Sequence, residues 1–196
     1  MEVITKTYPA PEINVREALR YAGCSTDSRD MLTLLGNCID EAQELFTYKV
    51  CYCILDTKIQ NSICDFGYFS VQSEKLAKNL SGCGRVLLFF ATVGMAIDRL
   101  IAKYTRLSPS RAVMLQALGT ERVESLCDMF CRDFEAGNST SLKPRFSPGY
   151  GDLPLDVQKD IFSVLNCRKN IGAYLNDSLL MSPSKSVTAF AGISEV

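Results

Sequence analysis

Residues 86–91 are six consecutive apolar residues, Val-Leu-Leu-Phe-Phe-Ala, set between Gly84-Arg85 and Thr92-Val93-Gly94. The run is far shorter than the ~20 residues of a membrane span. It has no polar alternate position, so it reads as a strand buried on both faces. A chain that contains such a strand must cover two sides of a sheet. Upstream, Val50, Tyr52 and Ile54 alternate with Lys49, Cys51 and Cys53, which predicts a strand over 48–57. A further strand is expected over 65–71, with Gln60-Asn61-Ser62 as the turn of a hairpin.

Helical spacing fills most of the remainder. Asn14 is a plausible cap for a helix with Val15, Ala18, Leu19 and Ala22 on one face and Gly23 as its stop. A second helix runs from about Thr26, placing Met31, Leu34, Leu35, Cys38, Ile39 and Ala42 together. Ser73 caps a short helix over 74–80, and another helix follows over 95–104. Ser108-Pro109 opens the longest helix, to about Phe134, with serine as cap and proline in the first turn. A polar connector over 137–143, a turn-rich segment from Arg145 and a helix over 156–165 come next. Strands over 171–175 and 186–191, joined by a turn around Pro183, are expected to close the fold. Pro9 and Pro11 set off a short apolar piece, Val3-Ile4, at the start. Interleaved elements with a hairpin among the first strands argue for α+β over a doubly wound sheet. The 196 residues suit one domain, 1–196, with 1–12 as an N-terminal extension and 137–151 as a candidate ligand-binding loop.

What the chain lacks narrows its chemistry. It has no histidine, which excludes Ser-His-Asp and Cys-His nucleophile chemistry and histidine-ligated zinc. Lys plus Arg number 21 against 22 Asp plus Glu, so the basic surplus of a nucleic-acid binder is missing. The nine cysteines are irregularly spaced without any C-x-x-C, and the first residues show no basic-then-apolar leader. The expectation is a cytoplasmic protein, neither bound to nucleic acid nor in the membrane, whose reduced thiols are mostly buried small apolar groups. No metal site and no catalytic residue is assigned.

Three places carry candidate binding chemistry. In Arg145-Phe146-Ser147-Pro148-Gly149-Tyr150 the arginine offers a planar fork for a carboxylate or phosphate. Gly149 permits close backbone approach, and Tyr150 supplies a flat face for a base. An ordinary surface turn with a salt-bridging arginine fits the same hexapeptide. Glu124 borders the apolar face of the long helix, where it suits either a ligand ammonium or solvent. The Thr92-Val93-Gly94 turn offers a helix N-terminus to an anion, although a tight turn explains its glycine equally well.

These segments resemble the activation (reactivation) domain of cobalamin-dependent methionine synthase. The resemblance rests on Arg145, Gly149 and Tyr150, then Ile171-Gly172, then Met181, Pro183, Ser186 and Val187 as Met-x-Pro-x-x-Ser-Val. Upstream, residues 117–124, ending in Glu124, look like the family's long helix with its ligand glutamate. The resemblance implies one α+β domain around a twisted, largely antiparallel sheet with flanking helices. It also implies a ligand, S-adenosylmethionine, held by Glu124, Arg145, Phe146, Ser147, Gly149 and Tyr150. The arginine would take the methionine carboxylate, the glutamate the amino group, and the turn with its tyrosine the adenosine.

In the family, cobalamin that has oxidised is reduced and remethylated from S-adenosylmethionine. The resemblance therefore implies a stand-alone reactivation subunit acting on the cobalamin of methionine synthase or a related corrinoid methyltransferase. The cobalamin would be held by that partner protein, with a flavodoxin- or ferredoxin-type electron donor. The family's N-terminal ligand aspartate has no clear match in MEVITKTYPAPEINVREAL. Two other readings keep the same residues: a non-catalytic docking or protective subunit for a corrinoid protein, and a cysteine-borne metal cluster for electron delivery.

Overall fold

The computed structural model describes residues 1–25 and 28–194. Strand β1 (Ile4–Tyr8) is followed by helices α1 (Val15–Tyr21) and α2 (Arg29–Ala42). The alternating segment forms β2 (Tyr48–Asp56); three short strands follow, β3 (Lys58–Gln60), β4 (Ile63–Asp65) and β5 (Ser70–Gln72). After α3 (Glu74–Asn79), the apolar run forms β6 (Arg85–Thr92). Helices α4 (Ala96–Leu107) and α5 (Pro109–Asn138) lead to β7 (Ser141–Leu142). The chain closes through α6 (Val157–Val164), α7 (Cys167–Asn170), β8 (Tyr174–Leu175), β9 (Met181–Ser182) and β10 (Ser186–Ser194).

The main sheet has the order β1-β2-β6-β10-β7, and every neighbouring pair is antiparallel. Its central strand, β6, sets Phe89 between Tyr52 of β2 and Ala189 of β10. Because side chains alternate across a strand, the sheet feeds two cores. On one face Tyr52, Phe89 and Ala191 pack with Leu19, Leu35, Ile97, Leu118 and Phe130 of α1, α2, α4 and α5. On the other, Cys51, Leu88, Phe90 and Phe190 pack with Phe66, Leu76, Ile161 and Cys167. Phe89 and Phe90 are thus fully buried in opposite directions; burying such a side chain contributes about 1.5–3 kcal/mol. The architecture is α+β, a curled antiparallel sheet flanked by helices, as the sequence predicts.

Several expected elements differ. The segment 65–71 is not one strand, because Gly67 takes φ +77° and its N–H donates to Asp65 Oδ1 at 2.8 Å. The Asn61-Ser62 hairpin turn forms, both residues having positive φ, but it belongs to the small β3-β4-β5 sheet. The expected strand over 171–175 shrinks to two residues paired with β9, interrupted by Gly172 at φ +73°. The long helix continues through Gly137 to Asn138, and Ser139 ends it in the left-handed region, so the polar connector shortens and carries edge strand β7. Ser108 precedes Pro109 but makes no side-chain cap. The start of α2 expected near Thr26 lies outside the described residues; Ser28 caps the helix by accepting the Met31 N–H. The piece before Pro9, given no element by periodicity, is an edge strand on β2.

Candidate functional site

Two of the sequence candidates, Glu124 and Arg145, meet beside α5. Residues 121, 124, 125 and 128 recur at helical i, i+3 and i+4 spacing, which places Glu121, Glu124, Ser125 and Asp128 on one stripe. Opposite them stands the start of α1. Asn14 caps that helix by accepting the Glu17 N–H, and Asn14, Glu17 and Tyr21 face α5 across a cleft of about 250 Å³. Arg145 closes the cleft. Its position is set by the sheet: Lys143 N–H donates to Gly192 O at 2.8 Å, and Phe146 exchanges backbone hydrogen bonds with Phe190 of β10.

Arg145 Nη2 lies 2.9 Å from Glu124 Oε2 and 2.9 Å from Asp128 Oδ1. Without that cation, Glu124 and Asp128 would be like charges one helical turn apart, a destabilising pair. The other terminal nitrogen, Nη1, is buried and makes no hydrogen bond among the described residues. Glu17 pairs with Arg20 at 2.6 Å, and Glu121 with Arg122 at 2.5 Å, so neither is a free charge in the cleft. The remaining set is one guanidinium and two carboxylates. Burial, then the Glu124 charge, push the Tyr21 hydroxyl above its ordinary pKa, so it stays protonated and able to donate. A wider groove of about 680 Å³ continues past Ser125 and Asp128, between residues 11–16 and the Met129–Arg132 turn of α5.

The six residues singled out from sequence separate into two groups. Arg145 and Glu124 meet directly, as partners of one another. The Phe146 ring instead turns into the second core, edge-on to Tyr150 at 5.3 Å between centroids. Ser147 is half-buried, and its carbonyl accepts the Tyr150 N–H at 3.1 Å. Gly149 takes φ +85°, and its N–H donates to Leu153 O at 2.9 Å. Tyr150 projects into solvent. The turn is anchored by Asp152, which accepts from Ser73 Oγ at 2.5 Å and from the Glu74 N–H at 2.7 Å, beside the Ser73 cap of α3.

Three positions at or beside the cleft escaped sequence reading: Glu121, Arg122 and Asp128. A signal existed for Arg122, which falls four residues after Leu118 and four before Leu126, at a core position of α5. Its side chain is 1% exposed and that of Glu121 2%. At the third candidate, the Gly94 N–H already donates to Thr92 Oγ1, and a Cβ there would collide with Thr47 Oγ1, so the glycine serves a tight turn. All nine cysteines are free thiols, and among the described residues no group of three or more His, Cys, Asp or Glu is placed to hold a metal ion. No described helix is long and apolar enough to cross a membrane.

No protein-family profile matches the chain. No curated protein matches it either. Among solved structures, the chain is similar to the MetH reactivation domain bound to AdoHcy, with a TM-score of 0.76. The match covers 98% of this chain and 78% of that one at 13% identity, and the shared property is the fold.

Proposed function

We propose that this chain binds S-adenosylmethionine in the Arg145–Glu124–Asp128 cleft and supports reductive methylation of a cobalamin held by a corrinoid protein. The observation that carries the reading is charge complementarity. The methionine end of the ligand bears one carboxylate, one ammonium and one sulfonium. The cleft bears one guanidinium and two carboxylates. The Arg145 side chain, a quarter exposed and lining the cleft, is the cation available to the ligand carboxylate. The cleft and the groove beyond it together have the volume of an ordinary small-molecule site. A structural neighbour at TM-score 0.76 that binds AdoHcy adds support.

Bound S-adenosylmethionine supplies the methyl group that reduced cobalt takes up. The chain's own residues bind and orient. Arg145 fixes the carboxylate, Glu124 the ammonium, and Asp128 adds negative potential for the sulfonium. The Tyr21 hydroxyl donates to the ligand's polar edge, and the exposed Tyr150 ring and Gly149 backbone of the 146–150 turn, which follows Arg145 but lines neither cavity, are assigned to the adenosine. No general base is needed, so the absence of histidine is no obstacle. Reduction requires a flavodoxin- or ferredoxin-type donor, and nine free thiols fit a cytoplasmic setting.

The competing docking-subunit reading draws on one observation: Arg145 is already neutralised by two protein carboxylates. Calorimetric titration with S-adenosylmethionine and S-adenosylhomocysteine separates the two readings. Saturable binding of either supports the methyl-donor site; no heat and no thermal shift at millimolar ligand refutes it.

A further inference from the structure

The segment between β1 and α1 has no regular structure, yet its Pro11 is buried against α5. Pro9 and Pro11 have no N–H, and buried backbone groups outside helices and sheets need partners from elsewhere. Two charged side chains of α5 supply them. Arg122 Nη1 donates to Pro11 O and Nη2 to Glu12 O, each at 2.6 Å. Glu121 receives Arg122 through both carboxylate oxygens, at 2.5 and 2.7 Å. Its Oε1 also accepts the Asn14 N–H at 3.0 Å and the Ser125 hydroxyl at 2.7 Å.

We propose that Glu121 and Arg122 are positioning residues of the ligand cleft: their buried pair ties residues 11–14 to α5 and so holds Asn14, Glu17 and Tyr21 opposite Glu124 and Arg145. The role rests on the reading of the cleft as a ligand site. Stability alone does not account for the pair. A buried ion pair is commonly no better than well-packed apolar residues of similar volume, and its best-attested use is to fix one arrangement. Leu or Met at position 122 would continue the apolar stripe from Leu118 to Leu126 but would leave Pro11 O and Glu12 O without donors. The pair also touches the cleft directly, since Ser125 and Asn14, its hydrogen-bond partners, line it. Neither Glu121 nor Arg122 is assigned contact with the ligand's reacting atoms.

The test uses the full chain in four forms: wild type, Arg122→Met, Arg122→Lys and Ile101→Ala. Ile101 is buried between α4 and the first turns of α5, away from the cleft, and serves as a stability control. Two quantities are read, affinity for S-adenosylmethionine and amide hydrogen exchange. In Arg122→Met the expected results are at least a tenfold loss of affinity and faster exchange over residues 12–17, with β6 amides still protected. Ile101→Ala should lower the thermal midpoint but bind as wild type does. Arg122→Lys, which keeps a charge and a donor, should recover part of the affinity. Equal affinity losses in Arg122→Met and Ile101→Ala overturn the proposal, as does unchanged affinity in Arg122→Met. If wild type binds no S-adenosyl ligand, the reading of the cleft fails. In that case unaltered exchange over 12–17 in Arg122→Met would separately refute the tether.

Discussion

Replacing Arg145 by alanine separates ligand binding from folding, and the geometry sets both magnitudes. Its contacts to Glu124 and Asp128 are both 2.9 Å, but the acids' side chains are 38% and 58% exposed, so solvent screens each pair. Exposed pairs of this kind are worth about 0.2–1 kcal/mol each. Losing both, and leaving two carboxylates one turn apart, should cost about 1–2 kcal/mol of stability. For a domain of this size that is a fall of roughly 2–8 °C in thermal midpoint. Removing a charge-assisted contact to a ligand carboxylate in a desolvated site costs about 2–5 kcal/mol, at least a roughly thirtyfold loss of affinity. Arg145→Lys should recover only part, because an ammonium lacks the planar fork. The assay is isothermal titration with S-adenosylmethionine beside a thermal melt. A triple variant, Arg145→Ala with Glu124→Gln and Asp128→Asn, relieves the like-charge repulsion; it should regain stability without regaining affinity. Unchanged affinity in Arg145→Ala would refute the assignment of this residue. Affinity restored in the triple variant would mean that repulsion, not a lost ligand contact, caused the defect.

Two further outcomes are expected. Hydrogen bonds from Ser73 and from the Glu74 and Lys75 amides hold the Asp152 carboxyl below its ordinary pKa. A depressed folded-state pKa contributes stability above the unfolded value, near 3.9, that is lost as pH falls through the folded one. The thermal midpoints of wild type and Asp152→Asn should therefore differ above about pH 5 and converge in acid; a constant gap from pH 7 to pH 2 would show that the charge is irrelevant. Burial pushes the Cys53 thiol up to about 12 and those of Cys64 and Cys131 up to about 11. Thiol titration at pH 8 should be slow in the native protein and reach nine per chain on anaerobic denaturation, whereas a smaller count would reveal a disulfide or a bound metal.

The elements most legible in the sequence are those with a strong period. Alternation located β2, continuous apolarity located β6, and cap residues located α1 and α3, because each signal arises from neighbours a few residues apart. Segments broken by a local turn were overextended: Asp65 and Gly67 form a side-chain-stabilised turn within what reads as a β-rich run. Edge strand β1 was missed because its five residues, Ile-Thr-Lys-Thr-Tyr, have an exposed face and little apolar signal. At the site, Arg145 and Glu124 were each recognisable from their side-chain chemistry. Their mutual ion pair was not, since 21 residues separate them and the pairing of β7 and Phe146 with β10 brings them together. Asp128 then follows from helical spacing once Glu124 is placed.

The sheet with apolar cover on both faces has one more consequence, for how its strands find alignment. In a half-exposed sheet, a one-residue slip drives greasy side chains into water, and polarity alone forbids it. Here a slip of β6 only exchanges one interior for the other, so side-chain bulk must supply the ruler. Phe90 sits between Cys51 and Thr188, Leu88 between Cys53 and Phe190, and Ala91 between Val50 and Val187. Large groups meet small ones across most rungs. Moving β6 by one position would set Phe89 against Cys51 and Ala91 against Lys49, or Phe89 against Cys53 and Ala91 against Cys51, mismatching volumes along β2. Cys51 and Cys53, both fully buried, should accordingly accept alanine at less cost to the thermal midpoint than leucine or phenylalanine, although leucine is the more hydrophobic choice. At Cys51 and Cys53 it is the small volume of the side chain that fits the facing Phe90 and Leu88.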